Sequence, residues 1–541
     1  MFKENGRHNQ ASLLDSTTWM SPKVKQKLEK SWAKPFYEHV FCRIDEQPFA
    51  VLYGTTGKPN TPVNVLLSLE YIKHLKNCSD LELLDSISFD YLVNYAVGQR
   101  ILGELYIAER TLYYFRERIY QYSVENPEKE DLLYGQFIKL LNEFAAKAKV
   151  KLGEQRMDTT MFMSNIKKAG RISLAFDVLA AAVKAIPENH MTEILSKVLE
   201  SEFKTDTLYR AKAQDGDSKL AMLLNLCREA LDILETIPEL KDSNAARITR
   251  RFIKDQSVMN ESGKLVPKDK KEIATDSLQS AFDEDATYRQ KGNIKQSGYV
   301  LELAETCDKD NPFQLITDYD VETNITSDVE IITDRMEEMK QNTGCKDIIA
   351  DGGFYSPAVI DKAAEQGINM HFTDMTGKQP HEKIPVTEFV TDEKTKVIVK
   401  CPADQTPTRS VIKDKQAIAH FDHSACDKCE LLRNCHSKHQ KRDHVVRISQ
   451  KMLDSGRERA KIKEFKKVNT NKRAAIEGSN SALKRTGLEK LRVRGKTKSK
   501  VVCGLKVAAQ NIKRFTRYLH DGYRPKISEN PNIRSFAPMM T

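Results

Sequence analysis

No stretch of this 541-residue chain is long and apolar enough to span a bilayer, which takes ~20 consecutive, mostly apolar residues. The best candidate, 172–186, is broken by Asp177 and Lys184. The opening residues MFKENGRHNQ lack the apolar stretch of a secretory signal, so neither export nor membrane insertion is expected and the chain is read as cytoplasmic. Cysteine is scarce as well. The ten present are too few and too scattered for a disulfide scaffold of the secreted kind. Internal repeats are lacking. A hydrophobic share of 40% beside a charged share of 30% excludes collagen-like and wholly disordered classes. The length suits roughly two to four domains at ~100–200 residues each.

What is there is unevenly spread. Residues 431–520 hold 26 Lys or Arg against 6 Asp or Glu, so this stretch exceeds the whole chain's +10 and the remainder is net acidic. A basic block that also carries Ile476, Leu483, Leu488, Leu491, Val501 and Leu505 can fold and is expected to meet a polyanion, above all nucleic acid. Six cysteines stand alone. The other four are Cys401, in CPADQ, and Cys426, Cys429 and Cys435, in CDKCELLRNC. A Cys-x2-Cys step lets two thiolates reach one ion from a tight turn, so a structural zinc ion is one reading, with His436 as a substitute ligand; four reduced thiols packed as small hydrophobes is the other.

Hydrophobic periodicity organises the rest. VNVLLSLEYIKHLKN is a helix stopping at Asn77, and Ser79 with Glu82 is spaced as a capping box that restarts one. AERTLYYFRERIYQY reads as a longer helix with Arg110, Arg116 and Arg118 off its aromatic face, compatible with a helix-turn-helix-like DNA-binding domain or a plain bundle. Residues 172–255 are helical again, and 256–280 read as a polar, exposed connector. Alternation then favours strands in GYVLELAET, PFQLITDYDVET, KDIIADGG, INMHFTD and VTEFVTDEKTKVIVKC. Long helices follow at 450–468, 471–486 and 502–519. The fold class is mixed α/β.

Three acids stand out by context: Asp158 on a strand in QRMDTTMFMSNI, Asp351 where a buried strand meets a glycine turn in DIIADGGFYS, and Glu477 on a helix in NKRAAIEGSNSALKR. Carboxylates at strand ends and on an adjoining helix can converge on divalent cations, and hard oxygen ligands suit Mg²⁺. Asp318 and Asp374 are competing acids, read as surface or turn carboxylates.

Arg473-x3-Glu477-x6-Lys484 resembles the C-terminal acidic signature of DDE-type bacterial insertion-sequence transposases, DTTMFMSN their first-acid motif and ADGGFYS their second. DEDATYRQKGN is similar to the segment leading into their next core strands. Residues 40–122 look like the N-terminal domain of the InsH-like branch, and the cysteine segment like an insertion found in a related branch. Thr470 departs from the pattern, standing where the family often has Tyr. The resemblance implies an RNase H-like catalytic core with Asp158, Asp351 and Glu477 as the catalytic acids, holding two Mg²⁺ (or Mn²⁺) ions. It implies cleavage of double-stranded DNA at transposon ends and strand transfer into target DNA. Arg473, Lys484, Arg485, Arg492, Arg494 and Lys496 are the expected DNA contacts, Arg473 to Lys484 from one helix face. A homodimer on DNA and a bacterial, nucleoid-associated setting follow from the same likeness.

The expected layout is a helical DNA-binding domain over 1–125, a first core segment at 150–171 and a helical insertion with connector at 172–280. The core continues at 281–375, a strand and Cys-rich insertion fill 376–445, a basic helical end carries the third acid at 446–520, and 521–541 is a tail. A metal-dependent nuclease without strand transfer and a non-catalytic DNA-binding repressor are the rival readings.

Overall fold

The computed structural model describes the chain apart from residues 10–14, 130, 168, 211–215, 376–382, 393, 469–471 and 521–541, and apart from the side chains of 9, 291, 294 and 466–468. The main elements begin with α1 (Val63–Lys76), α2 (Glu109–Glu125), α3 (Leu132–Ala148), β1 (Glu154–Phe162), α4 (Arg171–Ala185), α5 (Gly216–Thr236) and α6 (Asn244–Gln256). They continue with β2 (Thr287–Lys291), β3 (Ile294–Thr306), β4 (Ile316–Thr323), α7 (Asp328–Thr343), β5 (Asp347–Ala350), α8 (Pro357–Glu365) and β6 (Asn369–Phe372). Last come β7 (Arg409–Lys413), β8 (Gln416–Phe421), β9 (Lys438–His439), β10 (His444–Ser449), α9 (Gln450–Val468), α10 (Ile476–Leu483) and α11 (Lys496–His520). Among the described residues no helix is long and apolar enough to cross a membrane. The chain forms two compact units: 1–152 with 159–326 and 478–541, and 153–158 with 327–477.

In the first unit α1 ends at Asn77, whose left-handed backbone (φ 52°) closes the helix, and the Ser79/Glu82 capping box opens the next. Arg116 of α2 is turned inward: its guanidinium lies 2.7 Å from Glu70 and 2.6 Å from Asp80, leaving it 14% exposed. It serves the bundle and does not face outward. Helix α11 is buried along much of its length. Phe515 stacks on Phe144 of α3 at 4.2 Å, and Gly504 admits Tyr319 so closely that a Cβ there would sit 2.3 Å from its hydroxyl. Helices α4, α5 and α6 close around Leu179, Leu223, Cys227 and Phe252. The segment 256–280 is more than an exposed connector. It forms a small hairpin, Ser257–Met259 with Leu265–Pro267, and sends Leu265 and Leu278 into that same core. Strands β2, β3 and β4 are antiparallel neighbours. Asp318, expected at the surface, is fully buried on β4 and accepts a hydrogen bond from Tyr134 at 2.5 Å.

In the second unit the first residues of β1 pair in parallel with β5, and β5 in parallel with β6. Helix α8 makes the crossover from β5 to β6, as parallel neighbours require. The unit continues into a four-stranded antiparallel sheet, β7–β8–β10–β9, over a core of Phe389, Ile398, Ala419, Phe421, Val446 and Ile448. The expected long strand before the cysteines is instead two short ones, Val390–Thr391 and Ile398–Lys400, paired antiparallel. Helix α9 matches its expected bounds. The helix expected over 471–486 is shorter: it starts at Ile476, whose N–H bonds back to the Arg473 carbonyl at 3.0 Å, and non-helical backbone at Thr486 and Gly487 (φ 86°) follows.

Candidate active site

Strand period places Glu154, Arg156 and Asp158 on one face of β1. All three reach the segment before α10. Lys472 Nζ lies 2.6 Å from Glu154, Arg156 donates to the Lys472 carbonyl at 2.9 Å, and Arg473 donates to Asp158 at 3.0 Å. The opposite face holds Met157, fully buried, and Gln155, whose amide donates to Thr343 at 2.8 Å. Three tethers two residues apart thus align residues 472–473 along the strand. No motif marks Glu154, Arg156 or Lys472, although the alternation of Glu154 and Arg156 with Asp158 is readable in the sequence.

Asp351 follows the last residue of β5. The β1–β5 register runs Glu154↔Asp347 to Arg156↔Ile349, and two further steps bring Asp158 opposite Asp351. The two acids therefore stand side by side, Asp158 midway along β1 and Asp351 just past the carboxyl end of β5. Asp351 caps the turn that follows: one carboxylate oxygen accepts the Gly353 N–H at 2.8 Å and the other accepts from Arg473 at 3.1 Å. The double glycine has a steric reason, since a Cβ on Gly353 would lie 2.8 Å from an Asp328 carboxylate oxygen and 2.9 Å from that of Asp351. Asp374, exposed as expected, accepts the Gly352 N–H at 2.6 Å and so fastens the loop that carries Asp351.

Arg473 binds both acids through the same nitrogen, Nη2. Burial disfavours its charge, but the Asp158 and Asp351 carboxylates more than offset this and hold the guanidinium above its ordinary pKa. Glu477, one helical turn on, lies 3.9 Å from Nη1 and is largely exposed. Arg473, Glu477, Asp158 and Asp351 are therefore brought together. Two carboxylates converging on one positive group make a donor set that fits a hard divalent cation.

The other expected contacts lie in the first unit. Lys484, Arg485 and Arg492 are exposed. Arg494 donates to the Asn165 carbonyl at 2.9 Å and sits 4.9 Å over the Phe282 ring. Lys496 is held by Glu322 at 2.6 Å, and Lys500 by Asp320 at 2.8 Å. Part of the basic run thus answers carboxylates of its own chain. Thr470 lies outside the described residues.

Cys401, Cys426, Cys429 and Cys435 line one small cavity beneath the β7–β10 sheet. The Cys426 thiol is pushed up to about 11, first by burial and then by the Cys401, Cys435 and Cys429 thiols nearby. Thiols are donors that suit zinc. One ring nitrogen of His436 donates to the Ile384 carbonyl at 2.8 Å.

Residues 400–516 match the family model described as Transposase DDE domain, which supports a DDE transposase. The matched stretch contains the cysteines, Arg473 and Glu477, while Asp158 and Asp351 precede it. No curated protein matches the chain. Among solved structures, one similar chain is that of a cryo-EM structure of the piggyBac transposase synaptic complex with hairpin DNA. The likeness covers 66% of this chain and 71% of that one at 11% identity and a TM-score of 0.20.

Proposed function

We propose that this chain is a transposase of the bacterial insertion-sequence type, built on an RNase H-like core, that cleaves double-stranded DNA at element ends and joins the freed 3′ hydroxyl to target DNA. One observation carries the reading: Asp158 on β1 and Asp351 just past the adjacent parallel β5 share a single guanidinium, with Glu477 four residues on from it. Asp158, Asp351 and Glu477 would hold two Mg²⁺ (or Mn²⁺) ions. The chemistry such ions supply when bound is activation of a water or 3′ hydroxyl and neutralisation of charge on the attacked phosphodiester.

The chain's own residues do the positioning. The tethers at Glu154, Arg156 and Asp158 fix residues 472–473, so Arg473 stands at the reacting centre. A guanidinium released from the two carboxylates can take a phosphate oxygen pair instead, which is the geometry it binds best. Exposed Lys484, Arg485 and Arg492, with Arg494 and Lys496 beside them, would follow the DNA backbone without reading bases. Recognition of the element ends falls to the helices of 1–125, and joining two ends calls for a homodimer on DNA in the cytoplasm. The four cysteines would hold a structural zinc ion.

The test is a labelled duplex carrying the element's own terminus and flank, incubated with Mg²⁺ at fixed salt. Boundary cleavage and joined products from the wild type, both lost in Asp158→Asn, Asp351→Asn and Glu477→Gln with DNA binding retained, are expected. Cleavage without joining would leave a nuclease, and binding without cleavage in any metal a repressor.

A further inference from the structure

The β7–β10 lobe contains a second cluster of donor groups, distinct from the four thiols. His423 and Asp427 sit four residues apart across the one-turn helix His423–Cys426, which puts them on one face. His439 and His444 are direct cross-strand partners where β9 meets β10. Each of the four offers one ligand atom, and these atoms all lie within 4.8 Å of one another. The rings crowd together, with centroids 4.6 Å (His423–His439), 5.0 Å (His439–His444) and 5.2 Å (His423–His444) apart.

Crowding of this kind needs a reason. Three protonated imidazoles would repel, and three neutral ones have few partners here. His444, only 2% exposed, bonds Asp427 through Nε2 at 2.8 Å, while its Nδ1 and that of His423 have no hydrogen-bond partner among the described residues. A buried ring nitrogen without a partner is costly. A divalent cation at the centre would take one nitrogen from each ring and offset the carboxylate's charge.

We infer that His423, Asp427, His439 and His444 form a metal site of their own, holding one zinc-class divalent cation as a closed, structural centre. Three imidazole nitrogens and one carboxylate oxygen suit Zn²⁺, whereas Mg²⁺ and Ca²⁺ prefer oxygen throughout. The four protein ligands fill a tetrahedral shell and leave no open position for a substrate. The ligands interleave with the thiols along the chain, in the order Cys401, His423, Cys426, Asp427, Cys429, Cys435, His439, His444. Cys426 and Asp427 are adjacent residues assigned to different ions, so the lobe is stitched twice through one short helix. The ion would also pin the bases of the Gln440–Asp443 loop, whose tip exposes Lys441 and Arg442.

The inference is independent of the strand-transfer reading, and its test does not use DNA. Full-length protein is stripped with a chelator, reloaded with Zn²⁺ or Co²⁺, desalted, and its metal content measured by elemental analysis. Wild type should retain two ions per chain. His439→Asn and Asp427→Asn, both at exposed positions, should retain one while keeping the thiolate-to-cobalt absorption. Cys426→Ser with Cys429→Ser should lose that absorption and still retain one ion, removable by adding His439→Asn. Circular dichroism checks that each variant is folded. Wild-type content unaffected by His439→Asn or by His423→Asn would overturn the site. So would loss of the thiolate absorption in His439→Asn, because His439 would then belong to the cysteine centre.

Discussion

Two regions of the second unit gather groups that do not tolerate one another's company. Where β1 runs beside β5, Asp158 and Asp351 are kept together by a guanidinium from their own chain. In the β7–β10 lobe, four thiols line one cavity and three imidazoles crowd around Asp427, a group of the wrong sign to steady thiolates. The first region carries a counterion of its own. The second, on the metal sites proposed above, would be complete only with ions from outside. Metal should therefore govern activity at the acids and folding in the lobe.

The sharpest way to break that contrast is at the acids. Asp351→Asn should lower DNA cleavage on the order of 10²–10³-fold or more, as removal of a group that stabilises developing charge does. Thermal stability and zinc content should not move. A variant that unfolds or loses zinc would erase the distinction. The converse is removal of zinc with a chelator. It should cost the lobe about 3–4 kcal/mol, the worth of a ligand held at 100–1,000 times its Kd, and open residues 384–449 to proteolysis. Withholding Mg²⁺ should do neither.

Arg473→Met tests whether the guanidinium is the counterion that completes the first region. Breaking a buried pair costs 3–5 kcal/mol, which partial exposure here reduces to about 1–3 kcal/mol. Added Mg²⁺ should restore most of that loss in denaturant unfolding. Gly353→Ala presses a methyl group against the Asp328 and Asp351 carboxylates. It should cost about 1–2 kcal/mol as a strained overpacking and weaken cleavage without altering zinc content. The smallest effect belongs to Arg492→Ala. It should reduce the salt slope of DNA binding by about 1, measured by titration at several ionic strengths, with cleavage of bound DNA unchanged.

The two regions differed in legibility. Asp351 was readable because an apolar strand running into Asp-Gly-Gly has one natural exit, and the Ser79/Glu82 box and the α9 bounds were readable for the same local reason. The partner of Asp351 was not readable locally. Asp158 meets it through a register that closes over an intervening stretch containing α4 to α7, the 257–267 hairpin and β2, β3 and β4, and no periodicity reports a pairing at that range. The inward turn of Arg116 escaped notice because Glu70 and Asp80 lie on other helices. The interruption before Ile476 escaped notice because Ala474 and Ala475 are good helix formers; the backbone yields there to the pull of Asp158 and Asp351 on Arg473. The histidine cluster was overlooked although His423 and Asp427 have helical spacing, because His439 and His444 join them only once β9 and β10 pair.

If the proposed centre is right, the guanidinium shared by Asp158 and Asp351 would make its loading a cation exchange and not a filling. An incoming Mg²⁺ would have to displace Arg473, and the displaced side chain would need another anion. The backbone of bound DNA would supply one. Metal and DNA would then raise each other's affinity by the same factor, as thermodynamic linkage requires. Away from DNA the centre would sit in its internal salt form and draw little Mg²⁺ from the cell, a safeguard against stray cutting that needs no moving lid and no second protein.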